Sequence, residues 1–475
     1  MGITKGYNFS ENNEKGRKTM KTTKKLMKCL SAGALMFMGI LSMGNVASAE
    51  EMKISEFKDA AVRQAVMEKC FPSYDEDEDY EEDADFEVIE TDDIKELYIG
   101  FEHGIVKDLS GIEKLTKLEE IDICQFAGST ASFYQTSLKS VSIGESEAAT
   151  VSMDAPYITS FRFSGTGTVK LNMNIPKVTS LSLYGSKLVS LEGLTKSIQA
   201  QLTEYYLYDT GLCTCVDVSN MVNLNTLGLS GEKINQIKGL NNLTKLVNVF
   251  IRDTKLTKLD FSKHNKLKFL ICENNRLTSL KLPKSLEDLY CYGNRLTKLD
   301  VNKCKNLRCL YAGKNKLKSI NIKKNKKLVE VSLSGNKNLK SLNVTQNKKL
   351  SALYCSNTKI SSLNLKNNKK LRQISYYGSK IKKLDLTGYK NLTILYAAKK
   401  GQTVSLKNFL GTGYKCTQKP TNVTYSKNKN SIKVKKAFYF DGNTVELKKG
   451  KRIYHIRMIP NKADSIDYWE LRFLP

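Results

Sequence analysis

Between residues 94 and 392 the apolar positions recur in one phrase, Leu-x-x-Leu-x-(Leu/Cys/Val)-x-x-(Asn/Thr/Ser)-x-(Leu/Ile), with polar residues at most of the variable places. The phrase begins at Ile94, Leu118, Leu138, Ile158, Val178, Leu202, Leu224, Leu246, Leu267, Leu286, Leu307, Leu328, Leu350, Leu371 and Leu392. The interval is about 19 to 24 residues, the spacing of a repeat architecture. One copy cannot bury its own apolar side. Stacked copies can, because each lays a short parallel strand beside the last and joins its leucines to a continuous core. Side chains alternate along a strand, so in residues 286–296 Leu289 and Cys291 are expected to point inward, and Asp288, Tyr290 and Tyr292 outward. Asn294, with Asn275, Asn315 and Asn336 at the same place, has an amide suited to bonding main-chain groups where the chain leaves the strand.

The period predicts a leucine-rich repeat solenoid over residues 94–402, with a curved parallel β-sheet and an irregular or 3-10 convex side. Residues 50–93 are expected to form an N-terminal helical cap followed by an acidic loop. Past Leu392 the period fails, and residues 403–475 read as short alternating strands, a C-terminal β-rich cap or a small separate module. The first 49 residues read as a leader. From Met20, the basic residues Lys21, Lys24, Lys25 and Lys28 precede an apolar run over residues 30–43 and then Ala47-Ser48-Ala49. That is the order of a secretory signal peptide, with Met20 as the expected start and cleavage after Ala49. No second apolar run is long enough to cross a bilayer, so the mature chain is expected outside the cell, secreted or loosely held at the wall, without a transmembrane segment.

Charge divides the chain. The net value is +28, but residues 50–122 sum to about −17 and residues 123–475 to about +39, two electrostatic bodies on one scaffold. The acidic part peaks in residues 75–83, a solvated loop by composition. A calcium loop is the alternative, from the spacing of Asp75, Asp77 and Asp79, but Tyr80 stands where the turn needs glycine and Phe86 where the last ligand should be. The basic part places lysines in the turns ahead of successive strands: Lys303 and Lys305, Lys326 and Lys327, Lys348 and Lys349, Lys369 and Lys370. Stacking lines them along one edge, suited to solubility or to an anionic wall polymer.

The outward positions carry aromatics. Tyr206, Phe250, Tyr290, Tyr311, Tyr354 and Tyr396 occupy one column, with Tyr292 and Tyr377 two residues further along their strands. These eight are the candidate ligand-binding residues, a ladder expected on exposed surface, where removing Tyr290 and Tyr311 would leave stability unchanged. The competing reading is that they only stabilise neighbouring strands. Cys272, Cys291 and Cys355 fall on inward positions as buried thiols, and Cys304 and Cys309 are expected nearer the surface. With three histidines and no hydrolase or nucleotide-binding motif, neither enzyme, cofactor nor metal site is expected, and no nucleic-acid module is present. Cys416 with His455 is the one conceivable nucleophile and base.

Residues 105–118 (IVKDLSGIEKLTKL) and 237–246 (IKGLNNLTKL) resemble the secreted, internalin-like leucine-rich repeat proteins of Gram-positive bacteria, a likeness covering about residues 90 to 400. Residues 56–63 (EFKDAAVR) are similar to the helical cap of related clostridial proteins, which often continue into an Asp/Gly-rich loop; here that loop lacks glycine. The resemblance implies recognition of an extracellular protein or glycan, commonly in adhesion. The alternative is association with the cell wall through the lysine edge, in a structural or surface role.

Overall fold

A computed structural model describes residues 51–70, 88–91, 93–185, 187–211, 214–382, 384–386, 388–398, 402–406, 410, 414–419, 423–434 and 444–460. Contacts divide the chain into Met1–Ala49 and Glu50–Pro475, and the described residues all belong to the second unit. The expected leader and the acidic loop lie outside them, as does Cys213.

Each copy of the phrase gives one strand of a single long parallel sheet, fifteen in all, from Glu96–Ile99 to Asn391–Ala398. The strands pair in chain order and in a register that superposes equivalent positions. Leu289 stands beside Leu310, Leu310 beside Val331, Val331 beside Leu353, and Leu353 beside Ile374. All five are fully buried, each such side chain contributing about 1.5–3 kcal/mol. One strand departs from the expected register. Ile394, not Leu395, pairs with Ile374, so the last copy is displaced by one residue and its alternation is inverted.

The asparagines close the turn after each strand. The Asn315 amide nitrogen donates to the carbonyls of Cys291, Ala312 and Gly313, and its oxygen accepts from the Leu296 amide. Asn294 and Asn336 repeat this pattern one copy either side, and Asn275 serves Thr254 and Ile251. A second donor column runs three residues ahead of the leading leucine in most of the later phrases. Asn325, Asn347 and Asn368, fully buried, each give both amide hydrogens to carbonyls of the preceding copy. His264, Cys304 and Tyr389 use their own donors at the same place.

The far side of the coil is irregular in the later copies, has 3-10 turns at Ile112–Lys114 and Leu240–Asn242, and forms short parallel pairs at Cys215–Asp217 with Gln236–Lys238 and at Lys258–Asp260 with Ser279–Lys281. Between residues 130 and 192 it differs from the sequence expectation. Thr130–Phe133, Thr150–Asp154, Thr168–Asn174 and Lys187–Glu192 form a second parallel sheet. The cause is a second alternation inside each of these copies, seen in Val151 and Met153 or in Val169, Leu171 and Met173, all buried.

At the front, helix Ala60–Cys70 covers the first strand. Asp59 accepts from the Ala61 amide and, with its other oxygen, from the amides of Lys107 and Asp108, tying the helix start to the first loop. At the back, strand Arg452–Pro460 pairs in parallel with Asn391–Ala398 and occupies the place of the next copy. Strands Thr444–Lys449 and Lys415–Gln418 then add antiparallel. The Tyr454 hydroxyl donates to the carbonyls of Leu386 and Tyr389, extending the donor column by one step.

Candidate functional site

The outer face of the long sheet carries a continuous run of rings. Centroids of successive pairs are 5.3 Å apart for Tyr184–Tyr208, 5.9 Å for Tyr208–Tyr206 and 6.5 Å for Tyr206–Phe250. The run continues at 5.6 Å for Phe250–Phe269, 5.4 Å for Phe269–Tyr290 and 5.1 Å for Tyr290–Tyr311. The gap between Tyr206 and Phe250 is bridged because Gly228 stands between them in register. Any Cβ there would strike the Tyr206 ring and the Tyr208 hydroxyl, so both rings lie across the bare backbone. Burial pushes the Tyr208 phenol well above its ordinary value.

Exposure along this run is not what the sequence predicts. Tyr290 is 2 % exposed, Tyr311 5 % and Tyr354 6 %. These rings are on the expected face, but they lie along the sheet and bury one another. Tyr290 and Tyr311 stack at 15° between planes and form a small core with Ile271, flanked by Phe250, Phe269 and Cys309. The Tyr311 hydroxyl donates to the Glu330 carboxylate. Tyr354 packs with Ala352 and Leu395 and donates to the Gln373 side-chain oxygen at 2.5 Å. They are therefore not surface contacts in the folded chain. Tyr206 and Phe250 are half-buried and keep one face to solvent. Tyr292, also half-buried, lies under the Lys314 ammonium at 5.1 Å, and Tyr377 is half-buried near the end of the array. Tyr396 leaves the column altogether. The one-residue displacement of its strand turns it inward, against the main core, and Leu395 takes its place.

Sequence reasoning missed Tyr184, Tyr208 and Phe269, which belong to the run. They sit at the third and first outward positions of their strands rather than the second, and reading all three columns would have found them. The eight lysines Lys303, Lys305, Lys326, Lys327, Lys348, Lys349, Lys369 and Lys370 are all exposed. Among the described residues none of them forms a salt bridge, and Lys327 donates to the Asn306 side chain at 2.8 Å. Lys305, Lys326, Lys348 and Lys369 stand two residues before a leading leucine, and Lys327, Lys349 and Lys370 one before. Lys303 falls outside both columns.

The thiols divide differently from the sequence expectation. Cys272, Cys291 and Cys355 are buried on the spine, but Cys304 is buried too, donating to the Pro283 carbonyl. Burial pushes the Cys304 thiol up to about 11 and the Cys309 thiol to about 12, so neither has the thiolate character of a reactive cysteine. Cys416 pairs with Leu447, whereas His455 pairs with Glu446. Alternation puts Cys416 and His455 on opposite faces, and the strand pairing does not assemble a nucleophile and base.

The coil, its one-strand-per-copy sheet and its asparagine-closed turns can be set beside solved structures. The functional domain of InlJ from Listeria monocytogenes, described as including a cysteine ladder, aligns over 87 % of this chain and 100 % of its own at 19 % identity, with a TM-score of 0.52. The fold is a leucine-rich repeat solenoid. A leucine-rich repeat protein of Leptospira interrogans aligns over 61 % of this chain and 92 % of its own at 20 % identity and TM-score 0.48. An internalin of Listeria monocytogenes, InlF, aligns over 74 % and 93 % at 17 % identity and TM-score 0.44. No family model and no curated protein matches the sequence. Among the described residues of this leucine-rich repeat chain, no helix is long and apolar enough to cross a membrane.

Proposed function

We propose that this chain is a secreted leucine-rich repeat binding protein that recognises an extracellular protein or glycan through the outer face of its long sheet. The observation that carries this reading is the half-exposed part of the ring run, Tyr184, Tyr208, Tyr206, Phe250 and Phe269, held in fixed mutual contact. Rings already ordered by their neighbours lose little conformational entropy on binding, and aromatic faces with hydroxyl rims suit both sugar rings and protein anchors. The buried pair Tyr290 and Tyr311 supports the run from one end rather than touching the ligand. The secretory leader read in the first 49 residues supplies the extracellular setting.

Substituting Tyr206→Ser together with Phe250→Ser is expected to weaken capture of the partner about 100-fold, two anchors of moderate size. The melting temperature should fall by only a few degrees, since both side chains are half-exposed. Partner identification by protein and glycan arrays, followed by calorimetry on the double variant, checks this. Unchanged affinity would remove the ring face from consideration.

The exposed lysines, without salt bridges among the described residues, favour a second reading, retention on an anionic wall polymer. Such retention is expected to fall at least tenfold between about 0.05 and 0.5 M salt, as the Debye length shortens from about 14 to 4 Å. Wall pull-down at the two concentrations measures it, and salt-insensitive retention would exclude the lysine edge.

A further inference from the structure

We infer that the outer face around Arg162 is a subsite for the carboxylate of an acidic saccharide. The inference rests on reading this face as the binding surface, since the subsite adjoins the ring run at Tyr184. Arg162 is exposed and is the one cation on the outer face of the strands from Glu96–Ile99 to Thr226–Ser230. It has no salt bridge among the described residues. Its guanidinium lies over the Tyr184 ring, 5.1 Å from the centroid, a contact that holds the planar fork in place.

The immediate neighbours of Arg162 in register are hydroxyls. In register, Arg162 stands between Ser142 on one side and Ser182 on the other, and Ser140, Ser160 and Ser180 form the neighbouring column. Ser182 is only 8 % exposed, yet among the described residues its hydroxyl has no hydrogen-bond partner, nor have those of Ser142 and Ser160, while Ser180 donates to Glu204. Strands in a parallel sheet are about 4.8 Å apart, so the two flanking hydroxyls reach the volume beside the guanidinium. A carboxylate there would take two parallel bonds from Arg162 and further bonds from serine hydroxyls, the arrangement that fixes planar anions.

Three features select the ligand. The floor beside Arg162 is flat, because the outward side chains at Ser140, Ser142, Ser160 and Ser164 are all serines, with the exposed Glu145 three residues beyond Ser142. Tyr184 and Tyr208 stand at its edge as a wall for a sugar ring. Asp122 stands two strands from Arg162, about 10 Å away, the Glu204 carboxylate accepts from the Ser180 hydroxyl, and Glu145 is exposed further along the strand of Ser142, a set of acids that repels a dense polyanion more than a single carboxylate. Spaced charge with neutral rings between fits; nucleic acid or polyphosphate does not.

The test uses a tetrasaccharide alternating glucuronate with a neutral amino sugar, its carboxyl-reduced counterpart and a glutamate-containing hexapeptide. Calorimetry with the chain from Glu50 at about 0.3 M salt screens the lysine edge. The acidic tetrasaccharide is expected to bind the unaltered protein at least tenfold more tightly than the reduced one. Arg162→Gln should abolish that difference, Arg162→Lys should restore part of it, and a Lys326→Gln, Lys327→Gln, Lys348→Gln, Lys349→Gln variant should behave as the parent. Loss in the lysine variant with none in Arg162→Gln would overturn the inference, as would equal binding of the reduced sugar or Arg162-dependent capture of the peptide with equal affinity. Should Tyr206→Ser with Phe250→Ser lose its partner while Arg162→Gln changes nothing, the ring face stands and this subsite falls.

Discussion

Tyr290→Ala or Tyr311→Ala is expected to lower the unfolding free energy by about 3 kcal/mol, the cost of truncating a buried aromatic and leaving a cavity. Both rings are buried on the outer face, stacked on each other at 5.1 Å and bounded by Ile271, Phe250 and Phe269. Tyr311→Ala also removes the hydroxyl that the Glu330 carboxylate accepts from. Because the two rings share one contact, the double variant should cost about 1 kcal/mol less than the sum of the single ones. Urea unfolding at 25 °C followed by near-ultraviolet circular dichroism reads these values, with Tyr206→Ala as the half-exposed comparison at about 1 kcal/mol. Losses below 1 kcal/mol for both buried tyrosines would mean that the rings rest on the sheet without supporting it.

A comparable effect is expected at Asn315. Asn315→Leu keeps the volume but orphans the Leu296 amide and takes one of two donors from each of the carbonyls of Cys291, Ala312 and Gly313, which keep bonds from Asn294, Asn336 and the Gly293 amide. The site is buried, so water cannot replace the amide, and each abandoned polar group costs about 1–3 kcal/mol. The orphaned amide, with the three weakened carbonyls, gives a total of about 3 kcal/mol. Natural variation along the column supports the scale of the effect. Thr358, at the same place in a later copy, makes one donor bond to the Cys355 carbonyl and accepts from Ile360. Asn315→Thr should accordingly cost about half as much as Asn315→Leu. Thermal and urea unfolding of the two variants gives the ratio, and equal losses would show that packing, not hydrogen bonding, holds the turn.

Much of the architecture is visible in the spacing of leucines, because one strand per copy and a shared core are the only way those side chains find cover. The slip at Leu392 was not visible. Residues 391–395 place apolar side chains at Leu392, Ile394 and Leu395, which satisfy two registers equally. The choice is made by the pairing of Ile394 with Ile374 on one side and Ile456 on the other, the second of these far away in sequence. The second sheet over residues 130–192 was legible as alternation but was masked by the stronger leucine phrase. At the candidate site, the outward direction of Tyr290 could be read from its own strand. Its burial could not, since cover comes from Phe269 and Tyr311 on adjacent strands, and exposure on a sheet is a property of neighbours. The lysines were easier, because a turn offers nothing large enough to hide them.

The strand Arg452–Pro460, which completes the sheet as though it were one more copy and then hands over to antiparallel partners, has a bearing on how such chains change size. Closure depends on the last copy alone, and each interior copy touches just the ones before and after it. Units of 21 residues, the offset between Asp288, Cys309 and Glu330, could be duplicated or deleted mid-array with both lids left intact. Reach is thus a quantity that unequal recombination can tune without inventing a new terminus.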